Sequence, residues 1–414
     1  MGLNITLATL AFLSLGLTLW QWIVAIRFPV HRRVTDKDFS PPVTLLKPLK
    51  GADVETWRCL ESWLTQNYPG PVQILFGAAS ADDPACEIVR QLIAAHPQQE
   101  ARLVICAQSL GANSKVSTLI QLHRQSPQPV VVVSDADVCV PPDFLLNFVG
   151  PLREPSVGLV TCFYRLANPS TLAMQWEAIA VNADFWSQVL QSESLKPLDF
   201  ALGAVMATTR EQLDAIGGFE ALADYLADDY QIGHRIALAG GRIILSPVVV
   251  ECWEPPKNWR DIWRHQLRWA RTIRVCQPLP YFFSILSNAT LWPLLCAQIT
   301  SFGPAIKWGR QLARSWKIGS LTIDLGFEAA ISWTFLLLLV CLAARIVSAV
   351  HLQCRLNRSV GHWLFFWLVP VKDLLNVALW ALAFLGNTVE WRGQRHRVRK
   401  GGKLVNLKTE VNYE

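Results

Sequence analysis

PVVVVSDADV (129–138) is the stretch on which the fold turns. Four successive valines leave no wet face, so they predict a strand buried on both sides, as in a parallel sheet. Ser134-Asp135-Ala136-Asp137 ends the run at the carboxyl edge, where open α/β sheets bind their ligands. The same pattern recurs outward. VTLLKPL (43–49), VQILFGAA (72–79), ARLVICA (101–107) and VGLVTCFY (157–164) read as strands. VETWRCLESWLTQ (54–66), CEIVRQLIAAH (86–96) and KVSTLIQLHRQ (115–125) read as the helices between them. Residues 40–255 are therefore expected to form an α/β domain around a doubly covered, mainly parallel sheet.

The flanks have a different character. Of 414 residues, 51% are hydrophobic and 17% charged, with mean hydropathy +0.26, against about a quarter charged in soluble domains. Residues 3–26 carry no charge and are long enough to cross a bilayer; no basic segment precedes them, so residues 1–30 read as a retained anchor. Arg27, His31, Arg32, Arg33 and Lys37 follow at once and place the next segment in the cytoplasm by the positive-inside tendency. Residues 256–280 contain WRDIWRHQLRWARTIR, apolar positions interleaved with five arginines, and read as an amphipathic helix at the membrane surface. Apolar stretches at 282–306, 321–350 and 362–386 make 281–390 a membrane region, and 391–414 is a basic tail expected in the cytoplasm. Three stretches are one too many for a chain that leaves and returns to the same side. The basic excess of 6 lies beside these segments, which favours membrane orientation over nucleic-acid binding. Ten scattered cysteines form no CxxC or Cys/His cluster, which argues against a zinc site or a disulfide framework.

Four polar constellations stand out. Asp135 and Asp137 can chelate a hard divalent cation, and such an ion could bridge a nucleotide diphosphate; the spacing alone also fits a solvated turn. Asp228-Asp229 sits at a helix start, where paired acids also simply favour the helix dipole. Asp82-Asp83-Pro84 follows a strand and fits turn chemistry equally well. His265-Gln266-Leu267-Arg268-Trp269 lies on the amphipathic helix, where Arg and Trp also serve lipid headgroups.

In this order and spacing the chain resembles membrane-bound GT-A glycosyltransferases, above all the ceramide glucosyltransferase family (family 21) with its bacterial hopanoid-associated relatives. The resemblance runs through PPVTLLKPLKGAD (41–53), NYPGPVQILFGAASADDPA (67–85), GANSKVSTL (111–119), SDADV (134–138), LGAVMATTREQLDAIGGF (202–219), LADDYQIG (226–233) and EWRGQRHRVRKGG (390–402). It implies a Rossmann-like GT-A catalytic domain with transmembrane and interfacial helices. It also implies Asp83 near the uracil or ribose, Lys115 on the nucleotide, and Asp135 with Asp137 as the Mg²⁺ or Mn²⁺ pair. Asp229 would be the general base, with Arg268 and Trp269 beside the diphosphate and the acceptor entrance. His265 departs from the family's Gln or Arg, and its imidazole would donate to a phosphate. The implied activity is inverting transfer from a UDP-sugar to a lipid hydroxyl. Glucose to ceramide comes first, N-acetylglucosamine to a hopanoid second, with a cytoplasmic catalytic domain on a bacterial inner membrane. A polysaccharide synthase would need more spanning helices, and a transporter would place its polar groups inside the membrane segments.

Overall fold

A computed structural model of the chain describes residues 2–33, 36, 38–299, 333–391 and 394–406. Lys37, Arg392, residues 407–414, the end of the apolar stretch 282–306 and the start of 321–350 lie outside the described residues. Helix α1 (Gly2–Arg27) leads into β1 (Val43–Pro48), α2 (Thr56–Leu64), β2 (Val72–Ala78), α3 (Ala85–Ala95), β3 (Glu100–Ile105), α4 (Ser114–His123) and β4 (Val130–Ser134). Next come β5 (Val138–Cys139), α5 (Phe144–Phe148), β6 (Val157–Leu166) and α6 (Leu172–Ile179). A π-helical turn, Ala180–Phe185, joins α6 to α7 (Trp186–Glu193), and then β7 (Val205–Thr209), α8 (Arg210–Ala215), α9 (Asp228–Leu238) and β8 (Arg242–Cys252) complete the domain.

The eight strands form one sheet in the order β3-β2-β1-β4-β7-β6-β8-β5. β3, β2, β1 and β4 run parallel, as do β6 and β8, while β7 opposes β4 and β6, and β5 opposes β8. Every residue of β1 and β4 is buried. Alternate residues feed opposite faces: Leu46, Val131 and Val133 pack with α4, whereas Leu45, Val130 and Val132 pack with Leu60 and Trp63 of α2. Each such aliphatic side chain stabilises the fold by about 1.5–3 kcal/mol. This parallel half matches the expectation from the valine run. The mixed half departs from a purely parallel sheet because strand direction there follows from long crossovers, which leave no mark in local periodicity.

Beyond β8 lie α10 (Trp259–Cys276), α11 (Pro278–Phe283), α12 (Leu291–Ile299), α13 (Trp333–Asn357) and α14 (Leu368–Phe384). A small antiparallel sheet follows, with β9 (Thr388–Trp391), β10 (Gln394–Val398) and β11 (Leu404–Asn406) in the order β11-β10-β9. Two helices, Leu3–Arg27 and Trp333–Asn357, are 25 residues each and apolar enough to cross a bilayer. At 1.5 Å per residue each reaches about 37 Å. They run side by side in the same direction. Cys341 meets the Ala11 carbonyl, Trp22 Nε1 donates to His351 Nδ1 at 2.9 Å, and Arg355 Nη2 donates to the carbonyls of Ile26 and Phe28 at 2.8 Å each. Between them in sequence, Pro278–Ser287 and Leu291–Ile299 form a pair bent by 52°. Trp292, in the second limb, packs with Ala11, Leu337 and Cys341.

The charges in the third apolar stretch turn inward. Arg345 of α13 donates to both oxygens of Asp373 (2.8 and 2.9 Å) and to Asp184 of the π-helical turn at 3.0 Å. Lys372 pairs with Asp184, and Thr290, at the bend, donates to Asp373 at 2.7 Å. All four charged groups are buried and sum to zero, which lets ionisable side chains persist beside α13, a helix apolar enough to cross a bilayer. The cluster ties α13 and α14 to the α/β domain through Asp184.

Candidate functional site

The carboxyl edge of β1, β2 and β4 gathers the acidic residues singled out in the sequence. A cleft of about 380 Å³ opens there, lined by Leu49, Lys50, Ala79, Ser80, Asp83 and Ser114. Asp83 is fixed within it: both its oxygens accept from Gly51 N at 3.0 Å, and Oδ1 also accepts from Ala85 N at 3.0 Å, at the start of α3. Gly51 adopts φ +74°, the left-handed region that glycine enters without strain, which lets its N–H face Asp83. The turn after β2 thereby closes against the turn after β1.

Lys115 is the electrostatic hub. Asn113 caps α4, its side chain accepting from Val116 N at 3.1 Å, and so sets Lys115 in the first turn. Lys115 Nζ lies 2.8 Å from Asp135 Oδ1 and 3.0 Å from Asp228 Oδ2. Burial opposes its charge, yet Asp135 and Asp228 together hold the ammonium well above the usual lysine range. A second lysine, Lys47, stands wholly buried in β1, donating to Ser134 Oγ at 3.0 Å and to the Asp135 carbonyl. Desolvation pulls it down to about 8. Lys47 thus fixes the backbone of the Ser-Asp-Ala-Asp turn while Lys115 holds its first carboxylate.

Asp137 has its carboxyl pushed up to about 7, first by desolvation and then by Asp135 and Glu254. No group of three or more His, Cys, Asp or Glu suited to a metal occurs among the described residues. Two carboxylates still fit Mg²⁺ or Mn²⁺, because such hard ions take one or two carboxylates and fill their remaining positions with water and substrate phosphate. The close carboxyls of Asp135 and Asp137, one of them penalised as an anion, make a donor set that a cation would relieve.

Asp229 follows Asp228 at the start of α9, its Oδ1 accepting from Tyr230 N at 2.8 Å. Burial, then Asp228, push its carboxyl up to about 6, with Lys115 pulling the other way. The carboxylate lies over Gly203, where a Cβ would come within 2.7 Å of Oδ2, so a larger residue there would force the carboxylate to shift. From the other side α10 brings Arg268, whose guanidinium is lowered by burial but held charged by Asp229 and Asp135. Trp269 packs its ring 6.1 Å from Phe185 and 4.8 Å from His265. His265 itself is turned to α6, its Nδ1 2.7 Å from Glu177 Oε1, which also accepts from Gln266 Nε2 at 2.8 Å. That leaves only its Nε2 for any phosphate.

Asp135, Asp137, Lys115, Asp229 and Arg268 therefore converge, with Asp83 in the adjoining cleft and His265 and Trp269 at the α10 wall. Sequence reasoning missed Lys47, Glu177 and Gly203, and it singled out the Asp228-Asp229 doublet without giving Asp228 a role of its own. A lysine inside the apolar run LLKPL was a visible signal for the first.

The model of glycosyl transferase family 21 matches residues 6–316 and 315–404. Ceramide glucosyltransferase 1 of Caenorhabditis elegans is 26% identical over 220 residues, 53% of this chain and 47% of that protein. Beta-monoglucosyldiacylglycerol synthase of Synechocystis sp. is 24% identical over 236 residues, 56% of this chain and 47% of that protein. The chain spans about half the length of each of these curated relatives. Among solved structures, a mannosyltransferase of Pyrobaculum calidifontis, in complex with GDP-Man and Mn²⁺, aligns over 93% of this chain and 98% of its own. Its TM-score is 0.51 at 20% identity, a likeness of GT-A fold.

Proposed function

The chain belongs to glycosyl transferase family 21, and from that premise we propose that it is an inverting transferase moving glucose from UDP-glucose to a hydroxyl of a membrane lipid, ceramide first. The observation that carries this reading is the convergence of Asp135, Asp228 and, beside them, Asp229 on one buried cation, Lys115, at the sheet's carboxyl edge. The relatives named for ceramide and diacylglycerol glucosylation support the acceptor class.

In this reading the uridine lies in the cleft beside Asp83, and the diphosphate faces Lys115 and Arg268. A divalent ion held by Asp135 and Asp137 would supply further neutralisation of the leaving diphosphate. Asp229 accepts the proton of the acceptor hydroxyl as its oxygen bonds to the anomeric carbon. The bond from that carbon to the phosphate oxygen breaks on the opposite face, and UDP leaves with the electron pair, giving inversion. A carboxyl near 6 is ionised at neutral pH yet more basic than an ordinary aspartate, which suits a general base. Trp269, Phe185 and the Glu177-held His265 form the wall that the acceptor headgroup meets.

The membrane arrangement fits three crossings. α1 and α13 both run toward the catalytic side, and the bent pair returns from there, starting beside Gln277, whose Nε2 donates to Tyr230 OH at 3.0 Å. α14 then remains on the catalytic side, packed through its charges, which removes the odd crossing. With the catalytic domain in the cytoplasm, the donor need not cross the bilayer.

The test is to incubate membranes containing the protein with isotope-labelled UDP-glucose and UDP-N-acetylglucosamine, then analyse the lipid extract by mass spectrometry. A protein-dependent hexosyl-ceramide supports the reading; label appearing only in polysaccharide, or in no lipid, overturns it.

A further inference from the structure

We propose that the C-terminal sheet is a working part of the transferase site, in which the backbone of Gly401–Leu404 pins the loop leading into the first turn of α9, where Asp228 and Asp229 lie, and Gln231 of that helix is a positioning residue. The proposal rests on the reading of Asp229 as the base. The contacts are specific and flank the two aspartates, at residues 224–226 before them and at Gln231 after them. Leu404 N donates to the Asp224 carbonyl at 2.6 Å, and Leu226 N donates to the Gly402 carbonyl at 2.9 Å. Tyr225 and Lys403 form the antiparallel bridge between them. Gln231 Nε2, two residues after Asp229, donates to the Gly401 carbonyl at 2.7 Å. Beneath these bonds Leu226 is buried with Val389, Val398 and Leu404.

The opposite side of the loop is held by the start of α4. Ala112 N donates to Asp224 Oδ1 at 3.0 Å, and Asn113 Nδ2 donates to the Tyr225 carbonyl at 2.6 Å. The loop is thus clamped between the helix that carries Lys115 and the segment that enters β11. The distance from Lys115 to Asp228 depends on both clamps. Helix α10 joins the arrangement: Arg271 donates to the Thr388 carbonyl and Arg274 to Asn387 Oδ1. Gly402, at φ +86°, comes so close to α10 that a Cβ there would lie 3.2 Å from Cys276 Sγ. Two arginines of the amphipathic helix therefore organise the sheet, and a segment whose composition reads as an orientation tail closes onto the catalytic loop.

The experiment compares full-length wild-type protein with Leu404→Pro, Leu404→Ala and Gln231→Met in lipid nanodiscs. Proline removes the N–H given to Asp224, alanine keeps it, and methionine removes the donor to Gly401 at similar volume. Loosening a catalytic group by about 1 Å costs on the order of 10²-fold in rate. Leu404→Pro is expected to lose about 10²-fold in kcat with KM for UDP-glucose within about 3-fold, the pattern of a lost transition-state interaction. Leu404→Ala should keep at least about 10-fold more kcat than the proline variant, and Gln231→Met should fall about 10-fold in kcat. Wild-type kcat in both Leu404→Pro and Gln231→Met, or an equal fall in Leu404→Ala and Leu404→Pro, overturns the proposal. Where Leu404→Pro fails to bind UDP or aggregates, Gln231→Met decides by its kcat. Hydrogen exchange of residues 224–231 separates this proposal from the assignment of the reaction. Even if wild-type protein transfers nothing from UDP-glucose, faster exchange in the folded variants supports the pinning, and unchanged exchange refutes it.

Discussion

Replacing Lys115 by methionine isolates the hub of the site. Its ammonium makes two ion pairs, at 2.8 Å to Asp135 and 3.0 Å to Asp228. At an effective dielectric constant near 20 each pair has a gross Coulomb energy of about 6 kcal/mol, most of it offset by desolvation. The two pairs are unequal. The Asp135 side chain is 40% exposed and screened by solvent, whereas Asp228 is 9% exposed and would be left as a buried, uncompensated anion. Stranding such a charge costs about 3–5 kcal/mol, and the screened partner argues for the lower end. For a domain of this size, about 3 kcal/mol lowers the apparent Tm by about 6–12 °C. The assay is thermal inactivation of the protein in nanodiscs, run on Lys115→Met, Asp228→Asn and the double variant. Because Asp228→Asn removes the stranded anion, the double variant should be more stable than Lys115→Met alone, with a coupling of about 1–3 kcal/mol. An unchanged Tm in Lys115→Met, or costs that simply add in the double variant, would refute the ion-pair account.

The acid limb of kcat/KM should follow Asp229: activity rises as pH passes through about 6, where its carboxyl ionises, and levels off above. In Lys115→Met the limb should move to higher pH, since Lys115 favours the anion, and a limb that stays in place would place the base elsewhere. Excess chelator should abolish transfer and Mg²⁺ or Mn²⁺ restore it; full activity without divalent ions would remove the role given to Asp135 and Asp137. Asp83→Ala leaves the Gly51 and Ala85 N–H groups without their acceptor, so KM for the donor should rise by at least about 10-fold with a smaller change in kcat, as titration of initial rates would reveal. For topology, an impermeant thiol reagent on intact cells should label Asn4→Cys and not Gln98→Cys above the wild-type background, and the reverse pattern would invert the orientation. Native Cys86 is too buried to serve as that probe.

What the sequence made legible was whatever a local pattern determines. The valine run of β4 and the apolar β1 announced strands covered on both faces, and all their residues are buried. Aspartates placed directly after such strands pointed to the carboxyl edge, and there Asp135 and Asp137 lie. Partnership between distant residues was not legible. Nothing near Lys115 indicates Asp228, and nothing near His265 indicates Glu177, because the pairs are made by helices that meet only in the folded chain. The antiparallel β7 was hidden for the same reason. Charge patterning was equally ambiguous: Lys372 and Asp373 interrupt an apolar stretch in sequence, but in space they complete a neutral cluster with Asp184 and Arg345. The Arg- and Lys-rich end of the chain illustrates the limit. Its composition speaks of membrane orientation, while its backbone bonds lead to the Asp224–Gln231 loop.

The most direct test of the central claim is the anomeric configuration of the lipid product, measured with Asp229 present and with Asp229→Asn. Purified protein in ceramide-containing nanodiscs is given UDP-α-glucose and divalent ion, and the glycolipid is analysed by NMR. The account predicts a β-glucoside from the wild type, and a fall of about 10²-fold or more in its rate of formation with Asp229→Asn while UDP affinity is retained. An α-linked product, or undiminished turnover in Asp229→Asn, would contradict it.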